Sequence, residues 1–197
     1  MKSLKTQVGT TDIYLLDQIL KSRYKTSDLI LDAGCGSGRN LLWFYNNAFP
    51  IYGIDKNIEH IKNLKEKYKN IADNYKVSTL ENIPFKNEMF NHIICNAVLH
   101  FAENTIHFET MFTELMRVLK PNGSLFIRMT SNIGIENNVV QLSEGVYKLP
   151  DNTTRFLLTK TLLDKLVKNH YLSFLEPLKT VNVNDVRCMS TLILQKN

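Results

Sequence analysis

Leu29-Ile30-Leu31-Asp32-Ala33-Gly34-Cys35-Gly36-Ser37-Gly38-Arg39-Asn40 is the stretch on which the fold of this chain turns. Its apolar start reads as a strand buried on both faces, as a parallel sheet requires. The glycines that follow let the backbone turn tightly and approach a ligand with no Cβ in the way. Leu41, Leu42, Phe44 and Tyr45 then open a helical pattern. The spacing is G-x-G-x-G, and a dinucleotide fingerprint would need glycine where Arg39 stands. The G-K-[ST] ending of a phosphate loop is also missing. Asp32 would set a carboxylate against a pyrophosphate, so the loop suits a cationic ligand better.

The same alternation runs outward from this stretch. Ile51-Tyr52-Gly53-Ile54, His92-Ile93-Ile94-Cys95 and Ser124-Leu125-Phe126-Ile127 are further compact apolar runs. Between them lie amphipathic helices, one carrying Ile58, Ile61, Leu64 and Tyr68. A second, from about Asn104 to Leu119, is stopped by Pro121-Asn122-Gly123. Such alternation predicts an α/β, doubly wound, Rossmann-like sheet, mostly parallel, with helices on both faces. Ile13, Leu16, Leu20 and Tyr24 predict a leading helix over about 11–24, ahead of a core over about 28–130. A polar insert follows over about 131–154. The rest, about 155–197, reads as a helix near 160–170 and two edge strands near 172–183 and 188–195. Asn184-Asp185 would join these strands as an antiparallel pair. The whole of 1–197 is expected to be one domain.

Composition narrows the classes. In 197 residues, 44% are hydrophobic and 22% charged, too apolar a mixture for disorder. No apolar run reaches the ~20 residues needed to cross a bilayer. The opening Met1-Lys2-Ser3-Leu4-Lys5 leads into polar residues, against a signal peptide. Cys35, Cys95 and Cys188 have neither disulfide-framework nor zinc-site spacing, so no metal is expected and a reducing cytoplasm suits them. The formal charge of +5 invites a nucleic-acid reading. However, the lysines are dispersed, and Lys62, Lys65, Lys67 and Lys69 read as one solvated helix face.

A ligand with an ammonium group, a sulfonium, a ribose and an adenine fits these residues. Asp32 can accept from the amino group, and Asp55, ending the second strand, can take both ribose hydroxyls. The chain here resembles the class I S-adenosylmethionine-dependent methyltransferases. The likeness rests on Ile30 to Gly38, Gly53-Ile54-Asp55, Glu81-Asn82-Ile83-Pro84-Phe85, Phe90 to Asn96, and Leu119-Lys120-Pro121-Asn122-Gly123, in the family's order. Arg39-Asn40 is similar to a subset that includes tellurite-resistance-type methyltransferases. The resemblance implies S-adenosylmethionine as the methyl donor. It places Asp32, Gly34 and Gly36 along the methionine part, Asp55 at the ribose, and Thr79, Leu80 and Glu81 at the adenine, with Cys35 and Lys56 as further donor-binding residues. Asn96 would sit beside the methyl. Thr79 departs from the family, which often carries Asp there, so the adenine contact would fall to backbone at Leu80. Arg39 would either meet the donor's carboxylate or face solvent.

Transfer from a sulfonium is an in-line displacement that demands alignment and exclusion of water more than a base. No catalytic residue is therefore assigned, and His100 and Tyr14 stand as weak candidates. Tyr14, His100, Arg128, Arg155, Lys179 and Arg187 are candidates for binding the acceptor, with the bland alternatives of packing, surface charge and edge protection. Lys179 and Arg187 together would suit an anion. The expected partner is a small, anionic metabolite, with the protein a monomer or homodimer. The alternatives are an RNA or protein methyltransferase, or a non-catalytic module that binds the donor.

Overall fold

The computed structural model describes residues 3–197; Met1 and Lys2, which open the signal-peptide reading, lie outside them. Two short helices lead, α1 (Leu4–Val8) and α2 (Ile13–Leu20). There follow β1 (Ile30–Ala33), α3 (Leu42–Asn46), β2 (Ile51–Asp55), α4 (Ile58–Lys67), β3 (Tyr75–Val77), β4 (Phe90–Asn96), α5 (Thr105–Val118) and β5 (Leu119–Ser131). The second half contains β6 (Val140–Ser143), β7 (Val146–Lys148), β8 (Thr154–Phe156), α6 (Lys160–Asn169), β9 (Leu172–Phe174), β10 (Lys179–Val183) and β11 (Arg187–Lys196).

The main sheet runs β10-β11-β5-β4-β1-β2-β3, with β9 also paired to β11. From β5 to β3 every pairing is parallel, whereas β11 is antiparallel to β5, β10 and β9. Successive strand residues point to opposite faces, and both faces are apolar. Leu31, Ile93, Leu125 and Ile127 pack under Phe108, Met111, Phe112 and Leu115 of α5 and Leu163 and Leu166 of α6. Ile30, Ile94, Phe126 and Ile193 pack with Leu15 of α2, Phe44 of α3 and Ile61 and Leu64 of α4. The expected doubly wound, mostly parallel sheet is what forms.

Several boundaries differ from expectation, each for a local reason. The leading helix is shorter because Asp12 caps it, accepting from the Tyr14 N–H at 2.9 Å, and it ends at Leu20. The α5 helix begins after its cap Asn104 and yields to strand at Leu119, ahead of Pro121. The 131–154 stretch, expected as a polar insert, folds with residues 155–156 into a separate antiparallel sheet, β6-β7-β8. The first terminal run divides into β9 and β10. The hairpin β10–β11 does turn at Asn184 and Asp185, both with positive φ. Consequently β11 is interior and β10 forms the edge. The strand β3 was not expected at all.

The topology sets the position of the site. β1 is followed by β2 on one side and flanked by β4 on the other, so the strand order reverses between β1 and β4. In an open α/β sheet, ligands bind outside the carboxyl ends of the strands at such a switch point.

Candidate functional site

A cleft of about 230 Å³ opens there, lined by Gly34, Asp55, Lys56, Ser78, Thr79, Leu80, Glu81, Ala97, Val98, Phe101, His107 and Met111. It brings together six residues expected from sequence: Gly34, Asp55, Lys56, Thr79, Leu80 and Glu81. Its near wall is the glycine loop. Gly34 has φ +82, and a Cβ there would lie 2.3 Å from Cγ2 of Val98, so only glycine fits. Gly36 has φ +52 with nothing within 4 Å of where its Cβ would be, leaving the backbone open to a ligand. The Gly36 N–H donates to Asp55 Oδ2 at 2.8 Å, and the Asn57 N–H donates to Asp55 Oδ1 at 2.8 Å. Both carboxylate oxygens of Asp55 are thereby aimed from the end of β2, each with lone-pair capacity left for a diol.

Behind the loop is a line of polar side chains on one face of three neighbouring strands. Asp32 of β1 stands beside Ile94 of β4, and Asn96 stands beside Arg128 of β5. The even spacing puts Asp32, Asn96 and Arg128 on the face that α2 covers. Asp32 is 1% exposed, and neither of its oxygens has a hydrogen-bond partner in the protein. Asn96, 6% exposed, has both amide atoms unpartnered. Buried polar groups are almost always paired, so a pair of orphans at a cleft marks the place of a ligand. Burial raises the Asp32 carboxyl to about 7, opposed by the Arg39 guanidinium and assisted by Asp55. A carboxyl held near neutrality with neither oxygen hydrogen-bonded fits an incoming ammonium. These residues suit the amino-acid end of S-adenosylmethionine, and Asp55 suits its ribose.

α2 closes this end. Asn40 of the glycine loop accepts from the Asp12 N–H at 3.2 Å, and Thr11 donates to the Arg39 carbonyl at 3.0 Å. Asp12 in turn accepts from Arg128 Nη1 at 3.2 Å, with the Arg128 guanidinium 5.2 Å over the Tyr14 ring. Arg128 thus stands between the Tyr14 ring and Asn96, its neighbour on β4. Arg39 itself is exposed, and Cys35 is buried, its thiol pushed up chiefly by burial.

On the adenine side, His107 Nδ1 accepts from the Glu103 N–H at 3.2 Å, which leaves the proton on Nε2, 2.6 Å from Glu81 Oε1. Sequence reasoning missed His107 and Ser78. The signal available was that His107 lies in the first turn of the helix leaving β4, on the ligand edge of the sheet. Ala97, with φ +61, holds the turn out of β4 in a left-handed conformation, the kind of strain that collects at ligand sites.

Two candidates are corrected. Lys179 bonds Glu176 at 2.8 Å and Asp17 at 3.2 Å, which neutralise it away from the cleft. It stands opposite Thr191, at the other end of the hairpin from Arg187, roughly 13 Å off at ~3.3 Å of rise per residue. The two cannot form one anion clamp. His100 is no general base. It is 6% exposed, its Nδ1 accepts from the Thr130 N–H at 3.4 Å, and burial, Arg155 and Arg187 lower it to about 4. Its free Nε2 therefore carries a proton. Arg155 lies 5.1 Å over the Phe101 ring, at the cleft mouth.

Comparison with known proteins agrees with this geometry. Residues 31–127 match a family model described as "Methyltransferase domain". An uncharacterized methyltransferase of Bacillus subtilis, YodH, is 33% identical over 109 residues, 54% of this chain and 42% of that protein. An Arabidopsis thaliana tRNA (carboxymethyluridine(34)-5-O)-methyltransferase is 31% identical over 102 residues, 52% of this chain and 24% of that protein. The chain therefore spans less than half the length of these relatives. A solved SAM-dependent methyltransferase from Methanosarcina mazei shares the fold, with TM-score 0.72 and 20% identity over 90% of this chain and 96% of that one.

Proposed function

We propose that the chain, whose residues 31–127 match a methyltransferase domain, is a class I S-adenosylmethionine-dependent methyltransferase that methylates a small, anionic metabolite. The observation that carries the donor assignment is the buried, unpartnered Asp32 carboxylate behind an open glycine loop. When bound, the donor supplies a methyl group already activated for displacement by its positive sulfur. The protein's part is to hold and align. Asp32 and Asn96 take the ammonium end, Asp55 the ribose, and Ser78 to Glu81 the adenine, with Leu80 offering backbone and buried side chain. Val98 and Met111 give the cleft an apolar wall that excludes water.

The anionic acceptor is supported by Arg155 and Arg187. Among the described residues neither makes an ion pair, whereas Lys21, Arg23, Arg117, Arg128 and Lys179 do. Arg187→Ala is expected to raise acceptor KM and leave donor affinity unchanged; an unchanged KM would refute this role. The three cysteines are free and buried, which favours the cytoplasm as the working compartment. A second reading, an RNA acceptor, is favoured by the tRNA-modifying relative. A tritiated-methyl transfer assay over fractionated metabolites, RNA and protein separates the two: label confined to the RNA fraction overturns the metabolite reading.

A further inference from the structure

A second cavity, of about 340 Å³, opens at the amino ends of β1, β4 and β5, at the opposite ends of these strands from the donor cleft. Arg23, Lys25, Asp28, His92, Lys120 and Ser124 stand in its lining. Asp28 comes two residues before β1, His92 of β4 pairs with Ile30 of β1, and Ser124 of β5 pairs with His92. Strand pairing therefore draws three side chains into one line across the sheet. His92 Nε2 is 3.0 Å from Asp28 Oδ2, and His92 Nδ1 is 2.7 Å from Ser124 Oγ. The Tyr24 ring stands nearly perpendicular to the His92 ring at 4.9 Å and helps to hold it.

The direction of these bonds follows from charge. Burial works against an ionised Asp28, but the Lys25 N–H, donating at 2.9 Å, and His92 hold its carboxyl below the usual range. An ionised carboxylate only accepts, so the imidazole proton lies on Nε2. Nδ1 is then an acceptor, and the Ser124 hydroxyl donates to it. Burial also keeps the His92 ring below its ordinary value, against the pull of Asp28, so the ring is neutral and can take a proton. Nucleophile, base and orienting acid thus stand in hydrogen-bond sequence, with the two ring nitrogens exchanged relative to the serine proteases. A mere fastening of three strands would belong in the core, whereas all three members line a cavity.

The lining stays net positive. Asp28 is its one acid and is taken up by His92 and the Lys25 N–H. Arg23 is met by Glu176 at 3.1 Å. Lys120 Nζ donates to the neutral Asn91 Oδ1 at 3.0 Å and has protons to spare. Such ammonium groups suit both an anionic substrate and an oxyanion formed at Ser124. We propose that this cavity is a second catalytic site, where Ser124 attacks the carbonyl carbon of a small ester whose acyl group carries an anion. Ser124 Oγ bonds to that carbon as its proton passes to His92 Nδ1. The bond from the carbon to the alcohol oxygen breaks with its electrons left on oxygen, which takes the proton from His92. Water then gives a proton to His92 Nδ1 and bonds to the acyl carbon. The bond to Ser124 Oγ breaks, Ser124 recovers its proton from His92, and the free acid leaves.

The test begins with the whole protein and a fluorophosphonate, which loses fluoride to an activated serine; labelled peptides are then mapped by mass spectrometry. We expect one label, on Ser124, at least tenfold faster than in His92→Gln and absent from Ser124→Ala. Urea-denatured wild type should not label, a comparison that needs no variant to fold. Label on another residue, equal labelling of folded and denatured protein, or none on folded wild type overturns the proposal. Turnover of 4-nitrophenyl butanoate and its 4-sulfo analogue reads the charge. The sulfonate should show at least tenfold higher kcat/KM, a preference reduced in Lys120→Gln; equal kcat/KM for the two esters in wild type refutes the anionic substrate. Neither probe involves S-adenosylmethionine, so failure here leaves the methyltransferase reading standing.

Discussion

Asp32 shows how one side chain can serve a ligand at the expense of the empty protein. Its carboxyl sits at about 7 when folded, against ~3.9 in an unfolded chain. Between these values the unfolded chain has released the proton and the folded one retains it, so folding stability falls as pH rises through that window. Asp32→Asn is expected to remove this slope and raise the melting temperature at about pH 8, where wild type carries a buried unpaired charge. The same substitution should cost donor affinity. In wild type, an ammonium needs the ionised form, so donor affinity should rise with pH towards the folded pKa and binding near neutrality should release a proton. Calorimetry in buffers of different ionisation enthalpy reads that proton; equal heats would contradict the assignment. The glycines divide similarly. Gly34→Ala drives a methyl into Val98 and is expected to destabilise by about 2 kcal/mol or more in a denaturant melt. Gly36→Ala meets open space, so it should fold, at a penalty of roughly 1–2 kcal/mol for the left-handed backbone, yet bind donor poorly.

At the scale of elements, the site is assembled by strand ends and one tethered helix. Asp12 is at once the cap of α2, the partner of Arg128 and the tie to Asn40. Asp12→Ala therefore removes a cap worth about 1 kcal/mol and strips the partly buried Arg128 of its carboxylate. We expect a combined loss of about 2–3 kcal/mol by chemical denaturation; a loss under about 0.5 kcal/mol, the range of an ordinary surface change, would show that α2 is not fastened this way. Elements with a strong burial signal were legible in the sequence. β1, β4 and β5 announce themselves as unbroken apolar runs because both of their faces are covered, and α5 by its stripe. β3 was not legible: it is three residues long, and Tyr75 is its one buried member. β6 was hidden because all four of its residues are exposed, which leaves no period-two contrast to read. Lys179 looked like a pocket cation because Asp17 is brought to it by tertiary structure, although its other partner, Glu176, lies only three residues upstream.

Across the molecule, the two apolar faces of the sheet leave methyl-transfer chemistry to its carboxyl edge, where orphan polar groups and unpaired arginines collect. The donor half of that edge could be traced from residue order alone, since strand-end acids and glycines have fixed topological places. The acceptor half could not. Arg155 and Arg187, the proposed acceptor arginines, stand on the small sheet and the terminal hairpin, elements with no such fixed place. The formal charge of +5 accordingly carries little meaning as a total. Among the described residues no helix is long and apolar enough to cross a membrane. The account stands on the donor being held between Asp32 and Asp55. Its most direct test is calorimetric titration of S-adenosylmethionine into wild type and Asp55→Ala, with NAD as control. We expect one-site binding by wild type, none of NAD, and at least a tenfold loss in the variant, about the worth of hydrogen bonds to a charged group. Wild-type affinity in Asp55→Ala, or preference for NAD, would contradict it.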